Sequence, residues 1–149
     1  MRICVDAREF TEKGETGISR YLENLLQPLV SDPELDLSLF LHNPEFAPNA
    51  LREGPSVKLI TLPRAPTLLV DQLVRPRLAA RENADVFFSP YYKIPLLGKF
   101  KRIITVHDVM FLRLPEFSRH RRMLAMIQLM ISARRAEVIL VASDFTARE

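Results

Sequence analysis

Three short stretches carry groups suited to chemistry. The first is Thr105-Val106-His107-Asp108, where an imidazole and a carboxylate close an apolar run. Such a pair can hold a polar ligand or move a proton near neutral pH. The second is Gly14-Glu15-Thr16-Gly17. Glycines let a backbone come close to a ligand, and the start of a helix offers unpaired N–H donors to an anion. The third is Ser143, between an apolar run and a last helical segment. Each stretch also has a plain structural reading. His107 can end a strand, Asp108 can start a turn, Gly14 and Gly17 can serve a flexible turn, and Ser143 can cap a helix.

Other chemistries lack their residues. Gly14 and Gly17 have the wrong spacing for the dinucleotide fingerprint, and no Gly-Lys-Ser/Thr follows to make a phosphate loop of the Walker type. His42, His107 and His120 fall in separate elements and Cys4 stands alone, so no metal set is expected. There is no G-x-S-x-G elbow for a serine hydrolase. A single cysteine excludes an intrachain disulfide and suits a reducing compartment, with Cys4 read as a buried core thiol. No apolar run approaches the roughly 18 residues of a membrane span, and the chain opens on a strand pattern instead of a secretory signal.

Elements that alternate between two periods must position these groups. With 149 residues, 48% of them hydrophobic, one domain with a sizeable core is expected. Strands are predicted at 2–6, 36–42, 57–62, 85–89, 102–108 and 137–142. In the fifth, Ile103, Ile104 and Val106 make a β-branched run buried on both faces. Ile18, Tyr21, Leu22, Leu25, Leu26, Leu29 and Val30 follow helical spacing, with Pro28 set to kink or end that helix. Residues 43–56 read as loop, 67–83 as a helix interrupted by Pro76, and 91–101 as loop. A long helix over 119–136 follows Ser118, and a last one follows Ser143. Strand–helix alternation predicts an α/β fold: a Rossmann-like three-layer sandwich with a mostly parallel sheet. In such sheets ligands bind beyond the carboxyl ends of the strands, where these groups fall.

Charge is uneven. The net +3 divides into −3 over residues 1–75 and +6 over residues 76–149. A basic half points to an anionic partner such as phosphate, nucleic acid or a lipid surface, or to an ordinary solvated face. Arg119, Arg121 and Arg122 open the long helix, where they oppose its dipole. Arg75, Arg77 and Arg81 read as a second basic stripe. Met123, Met126 and Met130 read as core packing.

Three segments, in order, resemble the amino-terminal domain of family-4 retaining glycosyltransferases of the GT-B fold. They are Gly14 to Leu26 (GETGISRYLENLL), Thr105-Val106-His107-Asp108-Val109, and Val141-Ala142-Ser143-Asp144-Phe145-Thr146. The resemblance spans nearly the whole chain. It implies that Gly14 and Gly17 form the glycine loop, with the Gly17 N–H near the donor diphosphate. His107 would lie near the transferred sugar and acceptor, with Asp108 shaping the same pocket and Ser143 facing the cleft. It implies a hexosyltransferase with no cofactor or metal. A nucleotide diphosphate sugar is the donor and a glycan or lipid-linked molecule the acceptor. The role would be polysaccharide biosynthesis in the cytoplasm, with peripheral contact at the inner membrane face and no nucleic acid partner.

The family's second Rossmann-like domain, which holds most of the donor, has no counterpart in residues 1–149. Residues 1–149 are then the acceptor-side domain, as a fragment, a degradation product or a split protein, expected to be inactive and prone to self-association alone. A non-catalytic phosphate-ligand or partner-binding domain, and an anionic membrane-surface binder, are the competing expectations.

Overall fold

The structure, a computed structural model, describes residues 1–109 and 118–148. Its strands are β1 (Arg2–Asp6), β2 (Asp36–Leu41), β3 (Val57–Thr61), β4 (Val86–Ser89), β5 (Lys101–Val106) and β6 (Val138–Val141). All six pair in parallel, in the order β3-β2-β1-β4-β5-β6. The connections run outward from β1 on one side and from β4 on the other, so the topological switch lies between these two strands.

Both faces of the central strands are covered, which is why those strands are apolar runs and not alternating ones, whereas Val138, Ile139 and Val141 of the edge strand β6 are exposed. On one face Val5, Leu37, Leu39 and Phe88 pack against Leu22 and Leu26 of α1 (Gly17–Val30). On the other, Cys4, Phe40 and Phe87 meet Val70, Ala79 and Phe100. On that same face Ile104 and Val106 meet Ile94 and, from α5 (Arg119–Arg135), Leu129. This is a Rossmann-like three-layer α/β sandwich. Burial pushes the Cys4 thiol up to about 12, with Glu82 adding to the shift.

Local chemistry explains most element ends. Thr16 caps α1: its Oγ1 accepts from Ser19 N at 3.0 Å, and Ser19 Oγ accepts from Thr16 N at 2.7 Å. Pro28 lies within α1, which runs on only to Val30. Residues 43–56 are not all loop. They hold a 3₁₀ turn (Pro44–Phe46) and the short helix α2 (Asn49–Arg52), anchored by the buried Leu51. The segment after β3 is helical in three pieces: α3 (Thr67–Leu69), a π turn (Val70–Val74) and α4 (Arg75–Arg81). Pro76 cannot donate to the preceding turn, and the helix widens to π geometry just before it. Arg102, buried at the base of β5, donates to the carbonyls of Pro95, Leu96, Gly98 and Phe100 and so shapes the loop before its own strand. α6 (Asp144–Arg148) closes the described chain.

Two further sequence expectations fail. Met123, Met126 and Met130 are not core: their relative exposures are 50%, 43% and 44%. Helix α5 reaches the β5 cluster through Leu129, with Ala136 just past its end, leaving its methionines outside. Arg75 is not part of a basic stripe either; it is fully buried, while Arg77 and Arg81 are exposed. Among the described residues no helix is long and apolar enough to cross a membrane.

Candidate functional site

The carboxyl edge of the sheet gathers the predicted groups. Strand β5 stops at Val106, so His107 and Asp108 stand just beyond it. His107 is half-buried, and its Nε2 lies 3.0 Å from Pro90 O, at the end of the neighbouring β4. A carbonyl only accepts, so Nε2 bears a proton in this contact, and in the neutral tautomer that it selects the lone pair lies on Nδ1. Tyr21 of α1 meets the imidazole edge-to-face at 4.9 Å between centroids, and its hydroxyl lies 3.0 Å from Thr105 Oγ1. Thr146 Oγ1 donates to His107 O at 3.3 Å. Ser143 Oγ accepts from Thr146 N at 3.2 Å and lies 3.1 Å from Thr146 Oγ1, so Ser143 caps α6 and sets Thr146. Two side chains, Tyr21 and Thr146, and the backbone carbonyl of Pro90 thus converge on His107 from three distant stretches.

The glycines divide in role. Gly14 has φ +86°, a conformation that requires glycine. Gly17 has no such φ, and a Cβ added there would meet nothing within 4 Å. The fold therefore does not demand glycine at 17, and the space beside it is open to a ligand. Asp108 is exposed. Burial, and then the Asp108 charge, push the Tyr92 phenol up.

Residues that the motifs did not single out build the wall at the β1/β4 switch. Glu9 accepts from Thr16 Oγ1 at 3.0 Å and hydrogen-bonds Tyr91, whose phenol burial and Glu9 push well above its ordinary value. The glycine loop is thereby tied to the loop after β4. Beneath lies a closed ring of charges. Arg8 grips Asp6 through Nε and Nη2, each at 2.8 Å, and reaches Asp71 through Nη1 at 2.9 Å. Arg75 donates to Asp71 at 2.8 Å. Its Nη2 is 2.9 Å from Asp6 Oδ2 but off the hydrogen-bonding direction, so that contact is coulombic, and its Nε has no acceptor. The Arg75 guanidinium lies 4.8 Å from the Phe87 ring centroid. Burial opposes ionisation of Asp6, yet Arg75 and Arg8 outweigh it and hold the carboxyl below its usual range. A cavity of about 330 Å³ opens above the ring, lined by Arg8, Glu9, His42, Tyr91, Tyr92 and Lys93 among others.

One signal for this ring was present: Asp71 and Arg75 stand four apart, a helical ion-pair spacing. Their partners Asp6 and Arg8 gave none. Neither a scan against protein-family models nor a search of curated proteins finds a match for the chain.

Proposed function

We propose that this chain is the acceptor-side, amino-terminal domain of a GT-B glycosyltransferase, in which it forms one wall of a cleft that transfers a hexose from a nucleotide diphosphate sugar. The observation that carries the reading is the convergence on His107. The α1 helix that follows the glycine loop and the Ser143–Thr146 turn both touch it, by a ring contact at 4.9 Å and a hydrogen bond at 3.3 Å. These are the three stretches in which the resemblance lies. A parallel sheet with polar groups beyond its carboxyl edge is a general ligand-binding arrangement.

In this reading the open space at Gly17 and the α1 amino terminus receive the diphosphate. His107, held by Pro90 O, presents Nδ1 to a sugar hydroxyl. Ser143 acts by setting Thr146, and Asp108 borders the pocket near Tyr92. Stabilising the departing diphosphate needs positive charge from the facing domain, which residues 1–149 do not supply. The protein works in the cytoplasm. Exposed apolar side chains on α5, with five arginines and no acidic residue, support peripheral contact with an anionic membrane.

The test uses residues 1–149 alone, and again joined to whatever follows Glu149 in the reading frame. Both are incubated with a panel of nucleotide sugars, and nucleoside diphosphate release is followed. Release by the longer protein and none by residues 1–149 is expected. No release from any donor by the longer protein sinks the glycosyltransferase reading. Sustained His107-dependent release by residues 1–149 sinks the one-wall reading.

A further inference from the structure

We infer that the cavity beside Tyr91 is the polar end of a longer groove built for an amphiphile, with an uncharged polyhydroxy head and an apolar chain. This rests on the proposed function and names its acceptor class: a lipid-linked sugar rather than a free glycan. A second cavity, about 350 Å³, lies between α5 and the α3–π segment. The two cavities share Thr67, Asp71 and Lys93 in their walls, so they lie side by side.

The lining changes character along it. At the polar end the charged groups are Arg8, Glu9, Asp71 and Lys93, two of each sign. Arg8 and Asp71 are already engaged in the buried ring. A phosphate there would meet Glu9 and Asp71 as well as Lys93, whereas hydroxyls find both donors and acceptors, and Tyr91 and Tyr92 add flat apolar faces. Beyond the three residues it shares with the first, the second cavity adds four aliphatic side chains, Leu68, Ile94, Leu96 and Ile131, and three polar ones. Its wall is pinned by Gln72 of the π turn, which donates to Ile94 O at 3.0 Å and accepts from Leu96 N at 2.9 Å. Leu68 in its wall, and Leu97 and Ile127, the sequence neighbours of its lining residues Leu96 and Gln128, are exposed by 70%, 58% and 43%. A chain leaving the groove therefore stays on apolar surface, next to a helix without acids.

The probes are n-octyl β-D-glucopyranoside, below its micelle concentration, and methyl β-D-glucopyranoside, titrated into residues 1–149 by calorimetry. The octyl glucoside should bind at least about tenfold tighter, equivalent to burying about two methylenes. Ile131→Asp, at a partly exposed site, should abolish that gain and leave methyl glucoside binding intact. Tyr92→Ala should weaken both ligands. Thermal melts establish that each variant is folded. Equal affinity for the two glucosides, or an undiminished octyl gain in Ile131→Asp, overturns the groove. Displacement of octyl glucoside by inorganic phosphate overturns the uncharged head. Octyl binding by residues 1–149, with no nucleoside diphosphate release from any donor by the longer protein, supports the groove and sinks only the transferase reading. Transfer to a soluble glycan with no octyl gain sinks only the groove.

Discussion

Arg75→Met would break the ring of charges under the site while keeping most of the side-chain volume. Asp6 is fully buried and faces two guanidinium groups. Removing one partner of a buried pair costs roughly 3–5 kcal/mol, because a charge is left uncompensated. Here Arg8 still grips both Asp6 oxygens, at 2.8 Å each, so the low end applies, about 3 kcal/mol. For a domain of this size each kcal/mol moves Tm by roughly 2–4 °C, giving a fall of roughly 6–12 °C. Far-UV circular dichroism melts at pH 7 measure it.

Asp6→Asn completes a double-mutant cycle. Once the carboxylate is gone, removing Arg75 should cost less, with coupling of about 1–3 kcal/mol. The pH dependence has a definite sign. The folded pKa of Asp6 lies below its unfolded value, so the unfolded state binds more protons at acid pH. Its stabilisation is complete above about pH 4 and is lost as pH falls toward the folded pKa. Asp6→Asn should flatten that acid limb. An Arg75→Met melt within 2 °C of the parent, or strict additivity with Asp6→Asn, would refute the ring as a coupled unit; the 2 °C margin is about the effect expected of 0.5–1 kcal/mol.

In the longer protein, His107→Ala should lower turnover at least about tenfold, or 1.4 kcal/mol of barrier; unchanged turnover would leave His107 as a strand-end prop. Gly17→Val should impair donor use far more than the melting temperature, since its Cβ meets nothing. Gly14→Ala should do the reverse, losing about 1 kcal/mol at a φ of +86°; comparing kcat/KM with Tm for both variants separates the roles. Residues 1–149 should co-sediment with anionic vesicles at low salt and lose that binding when Arg119 and Arg122 become Ser, each basic group being worth about 1 kcal/mol near the surface. No sedimentation of the parent ends the membrane idea.

The sheet was legible because β-branched and apolar runs report burial on two faces. β5 was found to within a residue at its start and two at its end, where His107 and Asp108 lie outside the ladder. Helix α1 was legible from its spacing alone, and the Thr16–Ser19 box explains why it begins at Gly17. Periodicity fails where it must say what covers a face. Met123, Met126 and Met130 announce an apolar surface, and only the packing shows that α5 meets the sheet through Leu129. Arg75 fails for a related reason. Its burial is decided by Asp6, 69 positions away, and a lone arginine carries no mark of a distant carboxylate. The polar cavity was missed because its lining comes from loop residues such as Glu9 and Tyr91, which have no periodicity to read.

The buried thiol of β1 makes the protein its own stopwatch. Cys4 sits in the pairing between β1 and β4, 1% exposed and protonated up to about pH 12. Iodoacetamide attacks thiolates, so it can reach this sulfur only when the centre of the sheet comes apart. The chain has no second cysteine, and each molecule can therefore gain a single adduct. Adduct mass against time, read with the reagent in excess, counts how often the two halves of the doubly wound sheet part at their shared seam. Loops fraying at the ligand edge would pass unrecorded, so a compound that slows the labelling grips the whole domain and not merely its rim.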